Sequence, residues 1–294
     1  MRRYEIPTWL VVVAVYAAWL ALTHFAGAIP LPVLIALGGL VIAWHGSLQH
    51  ETIHGHPTRS RAVNAVLGTP PLGLWLPYGV YRETHIAHHR TDQIADPGAD
   101  PESFYVTANQ YRTAGPVRRA VLWAHQTLFG RMILGPPIAI ASAWGSELSR
   151  VARGELDHVR HWLVHAAACF AVLYWVIGVC DIPLWRYAAA FVSPGLALTL
   201  LRSYAEHQPA SEAEHRTAIV EAGGLMSLVF LNNNLHVVHH DDPTLPWYEY
   251  RRRYATERES ILRRNGGKVY PGYGTLAARY AVVPKDPPIH GGQW

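Results

Sequence analysis

The fold is decided by residues 6–50, IPTWLVVVAVYAAWLALTHFAGAIPLPVLIALGGLVIAWHGSLQH, which contain no Asp, Glu, Lys or Arg. One membrane-spanning helix needs about 20 apolar residues, so this run is long enough for two. Gly and Pro at residues 26–32 are typical of a turn. The pattern predicts spans at about 7–26 and 32–49. A secretory signal peptide, the alternative for the amino terminus, would have a shorter apolar region that ends at a cleavage site.

Two further uncharged runs, at residues 162–180 and 187–201, predict a second pair of spans. Arg186 and Arg202 flank the last run and can extend their charges to the membrane interfaces, so we place this span at about 186–204. Only 16% of the chain is charged, whereas soluble domains carry about a quarter. The predicted fold is therefore an all-α polytopic membrane protein with four spans in two hairpins.

The distribution of arginine predicts the sidedness of the membrane. Arginines precede the first span, follow the last one and are frequent in residues 51–160, whereas the two hairpin turns carry almost none. The positive-inside rule then places both termini and the 51–160 segment in the cytoplasm. Because these basic clusters adjoin apolar runs, lipid headgroups are the expected partner and nucleic acid is not. The two cysteines, Cys169 and Cys180, lie within an apolar run and imply no disulfide framework.

Three shorter apolar stretches, at residues 62–81, 121–144 and 218–235, are interrupted by Pro, Gly or Arg and make poor spans. We expect interfacial helices here, which form a helical cap on the cytoplasmic side. Residues 1–265 are predicted to form a single membrane domain. The Gly- and Pro-rich residues 266–294 are predicted to form an irregular tail.

Histidine is the most unusual component, with eighteen copies in 294 residues. Three clusters, HETIH (50–54), HIAHH (85–89) and HVVHH (236–240), fall on the predicted cytoplasmic side. Residues at i, i+3 and i+4 share one face of a helix, so each cluster directs its imidazoles into a common space. Neutral imidazole suits iron, zinc and copper, and the number of imidazoles exceeds what one ion can use. We therefore predict two metal ions, with nine ligands: His50, His54, His85, His88, His89, His207, His236, His239 and His240.

Other interpretations explain less of this pattern. The first cluster is also the HExxH motif of zinc proteases, with Glu51 as general base, but that leaves both HxxHH clusters unexplained. A metal transporter would place its ligands near the middle of the bilayer. A membrane haem protein would need facing histidine pairs inside the spans. His56 can share a face with His54 only if the helix has ended between them.

Three histidine boxes on a four-helix membrane core resemble the membrane fatty acid desaturase and hydroxylase superfamily. The first box is similar to the HxxxH form of acyl-lipid desaturases, carotenoid ketolases and alkane hydroxylases. His207, in RSYAEH (202–207), resembles an additional histidine that many members place after the last span. Acyl-CoA desaturases carry an Asn one helical turn before that histidine, and this chain has Ser203 there.

The resemblance implies an oxidoreductase in which two histidine-bound iron ions use O₂ to attack an unactivated C–H bond, with no catalytic residues beyond the ligands. Loss of two hydrogens desaturates a lipid acyl chain. The alternative product is that of a hydroxylase or ketolase acting on a lipid, alkane or terpenoid. Both reactions need two external electrons, so we expect a separate ferredoxin, rubredoxin or cytochrome as donor.

Metal-bound histidines usually donate their second ring nitrogen to an acceptor that orients the ring. Asp92 and Asp100 lie near the second box, where DPGADP (96–101) is also readable as an ordinary turn. The other candidates lie near the second and third boxes and His207: Asn232, Asn233, Asn234, Glu206 and Asp96.

The predicted sidedness can be tested with a reporter that is active only in the cytoplasm. Insertion after Tyr270, or separately within residues 105–115, should give signal, because both positions lie on the arginine-rich side. Insertion at Ile29, in the first turn, should give none. Signal from the Ile29 fusion would invert the topology.

Overall fold

The computed structural model describes residues 4–292 and consists mainly of helices. In chain order these are α1 (Ile6–His24), α2 (Leu31–Ile53), α3 (Arg61–Gly68), α4 (Tyr78–Arg90), α5 (Ala108–Thr113), α6 (Pro116–His125), α7 (Leu128–Ala152), α8 (Val159–Leu173), α9 (Leu184–Tyr187), α10 (Ser193–Glu206), α11 (Gly224–Val229), α12 (His236–Asp241), α13 (Tyr250–Arg264) and α14 (Tyr273–Tyr280). Short 3₁₀ turns lie at Ala26–Ala28, Ala213–Arg216 and Trp247–Glu249.

The described chain forms two compact units. The first unit comprises the residues up to 82 together with 136–199, and the second comprises 83–135 together with the residues from 200 onwards. The helices α4, α7 and α10 each contribute residues to both units.

Four helical segments are long and apolar enough to cross a membrane, as the sequence predicts. They are Ile6–His24, Leu31–Ile53, Val159–Val179 and Leu184–Glu206. The last two are not regular α-helices throughout, because π-helical turns at Tyr174–Val179 and Ala188–Val192 interrupt them. The arrangement of the four segments as two hairpins with a cytoplasmic cap stays a prediction.

The core of the first unit contains a polar link that the apolar run does not reveal. Tyr187 is fully buried, and its hydroxyl accepts from Trp19 Nε1 (2.9 Å) and donates to the carbonyl of Leu72 (2.7 Å). An unpaired polar group in an apolar interior costs several kcal/mol, so both bonds are needed for Tyr187 to be buried. The surrounding core is aliphatic and aromatic and includes Leu34, Val176 and Phe191.

Glycine allows α2 to approach the fourth span closely. A Cβ atom at Gly38 would lie 2.4 Å from the carbonyl oxygen of Ala190, and one at Gly39 would lie 2.8 Å from Pro194. Gly195 on the opposite helix has the same role, since its Cβ would lie 2.4 Å from Ile42. Small residues at such contacts let helix backbones pack together, which stabilises helix pairs in membranes.

The second unit contains its own apolar core and a small parallel sheet. Strand β1 (Ile219–Val220) pairs with β2 (Val269–Tyr270). The core beside it includes Leu235, Val238 and Tyr250.

The apolar stretch predicted at 121–144 forms the second half of α6 and the first part of α7. Helix α7 continues through Pro136 and Pro137.

The prediction of an irregular chain after residue 266 is wrong for part of that segment. Strand β2 and helix α14 both lie within it, and α14 buries Tyr273 and Leu276. The high Gly and Pro content of this segment indicates irregular chain. Composition cannot predict that β2 pairs with β1, which lies about fifty residues earlier in the chain.

Gly38→Ala should destabilise the protein, because the added methyl group would overlap a backbone oxygen of the fourth span. Overpacking of this kind costs about 1–3 kcal/mol. Gly145→Ala is a matched control, because Gly145 is also helical and a Cβ there meets no atom within 4 Å. We expect its unfolding midpoint in detergent to stay unchanged or rise slightly, since Ala favours helix by up to ~1 kcal/mol. Equal midpoints for the two variants would contradict the proposed close packing.

Candidate metal centre

The second histidine box lies at the end of α4, within the second unit. His85, His88 and His89 occupy the last two turns of this helix, where positions i, i+3 and i+4 share one face. His85 and His88 are almost fully buried, with 2% and 1% of their surfaces exposed. A helix that buries imidazoles in place of apolar side chains needs partners for their ring nitrogens.

The third box forms α12, a short helix that an irregular turn precedes. Leu231 and Asn232 both adopt positive φ angles, 47° and 55°, which reverse the chain before the helix begins. Val237 and Val238 of α12 pack into the apolar core beside Tyr250 of α13. These apolar contacts fix the helix.

His207 follows directly after the last residue of α10. The chain on either side of it is held by backbone hydrogen bonds, from Gln208 N to the carbonyl of Arg216 (3.1 Å) and from Ala218 N to that of Glu206 (2.9 Å). This bridge opposes His207 to Thr217 in antiparallel fashion. The end of the fourth span is thereby joined to the segment that leads to the third box.

Four imidazoles of the second unit converge on one point. One ring nitrogen from each of His88, His207, His236 and His240 lies within 4.8 Å of the others. The Nε2 atom of His236 is 3.0 Å from that of His207 and 3.1 Å from that of His240. Nε2 of His88 is buried and has no hydrogen-bond partner among the described residues. A shared cation satisfies all four lone pairs together.

A second convergence lies in the same unit, formed by His85, His89 and His239. Nε2 of His89 is 3.1 Å from Nε2 of His85 and 2.9 Å from Nε2 of His239. The ring of His89 also stacks on His240, with 4.5 Å between the ring centroids. The two convergences are therefore adjacent, which suits a pair of metal ions better than two independent sites.

The outer nitrogens of four of these rings are hydrogen-bonded to acceptors. Nδ1 donates from His85 to Glu102 (2.9 Å), from His88 to Asp100 (2.9 Å), from His236 to the side-chain oxygen of Asn233 (3.1 Å) and from His239 to the hydroxyl of Tyr250 (2.8 Å). A proton held on Nδ1 leaves the lone pair of Nε2 directed inward. This arrangement is the one that orients histidine ligands in metalloproteins.

Two of the predicted outer residues, Asn233 and Glu206, lie beside His236. Asn233 accepts from Nδ1 of His236. Glu206 Oε1 lies 3.4 Å from the same nitrogen and 3.1 Å from Arg202 Nε. Glu206 is 2% exposed, so the Arg202 guanidinium balances a buried carboxylate.

The expectation of an outer contact to a ligand is corrected for Asn232, Asn234 and Asp96, whose side chains bind elsewhere. Asn232 binds the carbonyl of Trp247 and the side chain of Arg251, and Asn234 binds the carbonyl of Val220. Asp96 accepts from the backbone of Gly98 and lies 3.3 Å from His290. Asp96 thus stabilises a local turn. The two asparagines link the segment before the third box to residues that are distant in sequence.

Sequence reasoning missed Glu102 and Tyr250. Glu102 lies 17 residues from His85 and Tyr250 lies 11 residues from His239, so neither pair has a helical spacing that would indicate contact. Asp100 lies in the DPGADP turn and acts in both ways that the sequence allows. It accepts from Ala95 N within the turn (2.8 Å) and from His88.

Burial keeps most of these imidazoles neutral. It lowers the pKa of His89 to about 3, with the neighbouring His85 and His88 adding to the effect. Burial also lowers the pKa of His207, His236 and His240 well below the usual value. For His88, burial lowers the pKa, but the hydrogen bond to Asp100 and nearby carboxylates together raise it above normal. Neutral imidazole is the form that binds metal.

The first box lies in the first unit, at the end of α2. His50 is 1% exposed, and the rings of His50 and His54 are 4.8 Å apart. The amide of His54 donates to the carbonyls of Glu51 and His50, which closes the last turn. His56 lies beyond that end, and its Nδ1 donates to the carboxylate of Glu5 (2.8 Å).

The donor set fits transition-metal ions. It consists of imidazole nitrogens without thiolates, which disfavours iron–sulfur clusters, and without a ring of carboxylates, which disfavours calcium. The inward lone pairs, the unpartnered Nε2 of His88 and the outer acceptors together form a site that a pair of such ions would complete.

Comparison with known proteins agrees with this geometry. No curated protein matches the chain. The family of fatty acid desaturases matches residues 23–270, a range that contains all nine predicted ligands. Because the match covers more than half of the chain, this integral membrane protein belongs to the fatty acid desaturase family.

Proposed function

We propose that the protein is an O₂-dependent oxidoreductase that uses two histidine-bound iron ions to desaturate the acyl chain of a membrane lipid. The observation that carries this proposal is the pair of adjacent imidazole convergences in the second unit. Family membership supplies the expectation of iron and of a lipid substrate.

The proposed ligands are the eight histidines of the three boxes together with His207. Within the second unit, His88, His207, His236 and His240 would hold one ion, and His85, His89 and His239 would contribute to the other. Three imidazoles leave coordination positions for further donors on the second ion. We assign these to His50 and His54, because the first box supplies the same donor type and the family uses three boxes.

Iron, when bound here, supplies the capacity to activate O₂ and to remove hydrogen from an unactivated C–H bond. The protein keeps the ligand lone pairs directed inward, because Glu102, Asp100, Asn233 and Tyr250 hold the outer protons. Fixed ligand orientation avoids reorganisation during the reaction, which is a general source of catalytic power.

Removal of a second hydrogen gives an alkene, and return of a hydroxyl gives an alcohol. The outcome depends on how the substrate chain is held, because catalytic geometry is sensitive at about the ångström scale. Hydroxylation or ketolation of a lipid, alkane or terpenoid is therefore the alternative activity of the same centre. In each case we propose a separate ferredoxin, rubredoxin or cytochrome as electron donor. The active site and both termini would lie on the cytoplasmic side of the membrane.

Lipid analysis of cells that express the wild type or His88→Ala should identify the reaction. His88 is buried in the convergence, so its loss should abolish turnover. We expect new unsaturated acyl chains with the wild type and none with the variant, measured by mass spectrometry at equal expression. A new hydroxyl or ketone would support the alternative activity, and identical lipids would contradict both.

The metal content tests the centre itself. Purified wild type should carry close to two iron ions per chain, and His207→Ala should lower this value and abolish turnover while the protein stays folded. His158→Ala is the control, because His158 is bound to the carboxylate of Glu147 (3.0 Å) and lies outside both convergences. Normal iron and turnover in His207→Ala would remove His207 from the site. A single zinc with a peptidase activity that Glu51→Gln abolishes would favour a zinc protease.

A further inference from the structure

His207 differs from its neighbours in how its ring is oriented. Four histidines of the second unit donate Nδ1–H to a side-chain acceptor, whereas the buried Nδ1 of His207 has no side-chain partner among the described residues, and only the backbone of Arg216 offers this ring a hydrogen bond. Its Nε2 faces that of His236 at 3.0 Å. Because no side-chain acceptor among the described residues holds this ring, its direction depends on the backbone around His207.

The backbone carbonyl of His207 has an unusual partner. The ammonium of Lys285, from near the carboxyl terminus, donates to the carbonyl oxygens of His207 (3.0 Å) and Tyr204 (2.7 Å). Both carbonyls lie at the end of α10, where the last turn of a helix leaves its carbonyls unpaired. Lysine is well suited to satisfy them.

Lys285 is held firmly in this position. Its ammonium lies 3.4 Å from Asp286, whose carboxylate accepts from the hydroxyl of Tyr105 (2.9 Å). Two carbonyls and one carboxylate match the three donors of an ammonium group. Only 9% of the residue is exposed, and a long charged side chain is rarely buried unless it is paired in this way.

The segment around Lys285, residues 281–290, is tied to the rest of the second unit along its length; we name it the C-terminal strap. Ala281 accepts from Phe129 N, Lys285 N donates to the carbonyl of Gln126 (2.9 Å), and Pro288 accepts from Val106 N (3.0 Å). These bonds fix the strap against two separate parts of the unit, the junction between α6 and α7 and the segment at Val106. The backbone that carries Lys285 is therefore held by bonds other than those of its ammonium to α10.

We propose that Lys285 is a positioning residue for the metal ligand His207, and that the C-terminal strap is thereby part of the metal centre. The ammonium fixes the carbonyl of His207 and hence the orientation of the peptide that carries the imidazole. It adds a constraint on a histidine that lacks the side-chain acceptor found for four others of the cluster. The inference rests on the proposed metal centre but adds a residue that lies outside all histidine boxes.

Lys285→Met tests this inference, because it removes the ammonium and nearly preserves the side-chain volume. The matched control is Lys268→Met, since Lys268 is the only other lysine of the chain and its side chain is exposed. Metal-stripped proteins in detergent would be titrated with Co²⁺ and followed by visible absorption. We expect wild type and Lys268→Met to bind two ions equally well, and Lys285→Met to bind one of the two about tenfold or more weakly, as loss of an orienting contact typically causes.

A double mutant separates positioning from a general loss of stability. In the His207→Ala background, Lys285→Met should cause no further loss of Co²⁺ affinity, because its effect passes through His207. Lys285→Arg, which keeps a cationic donor, should restore binding of both ions. If Lys285→Met does not fold, Lys285→Gln replaces it in the same comparison.

The outcomes are distinguishable. Two Co²⁺ ions bound with unchanged affinity by Lys285→Met, or equal losses with and without His207, would overturn the role of Lys285 and leave the metal centre standing. A wild type that binds no Co²⁺ would overturn the metal centre itself.

Discussion

The desolvation of imidazole is the constraint on which the second unit depends. Placing seven histidines in one small volume, four of them buried and three partly buried, is unfavourable unless their ring nitrogens find partners. The protein supplies acceptors for outer nitrogens, as Glu102 does for His85 and Tyr250 for His239. The inner nitrogens face one another at about 3 Å, and a shared cation would satisfy their lone pairs together. The apolar packing of α12 and the hydrogen bonds of the C-terminal strap then hold the cluster together.

The two units solve the problem of buried polar groups differently. In the first unit the membrane-spanning segments are mostly apolar, and the buried Tyr187 hydroxyl is satisfied within the core. In the second unit the buried groups include the imidazoles of the proposed metal centre, whose inner nitrogens a bound ion would pair. A centre that depends on metal in this way couples metal binding to local stability.

The membrane spans and the shared helix face of each histidine box could be predicted from the sequence, because both depend on local patterns. An uncharged run and an i, i+3, i+4 spacing are visible without any knowledge of long-range contacts. The outer acceptors were not predictable in the same way. Asp96 and Asn234 lie near the boxes in sequence, but Asp96 stabilises a turn and Asn234 bonds to Val220, whereas Glu102 reaches His85 only after the chain has folded back. Order in the carboxyl-terminal segment was missed for the same reason.

The difference between near and distant contacts also explains why His207 depends on the strap. A ligand inside a helical box has neighbours one turn away that fix its backbone, but His207 stands at the end of α10, where helical hydrogen bonding stops. An outside donor must therefore complete that turn. The strap reaches this point only because its own backbone is bound to Val106 and Gln126. The geometry of the ligand cluster thus depends on the last part of the chain as much as on the histidine boxes.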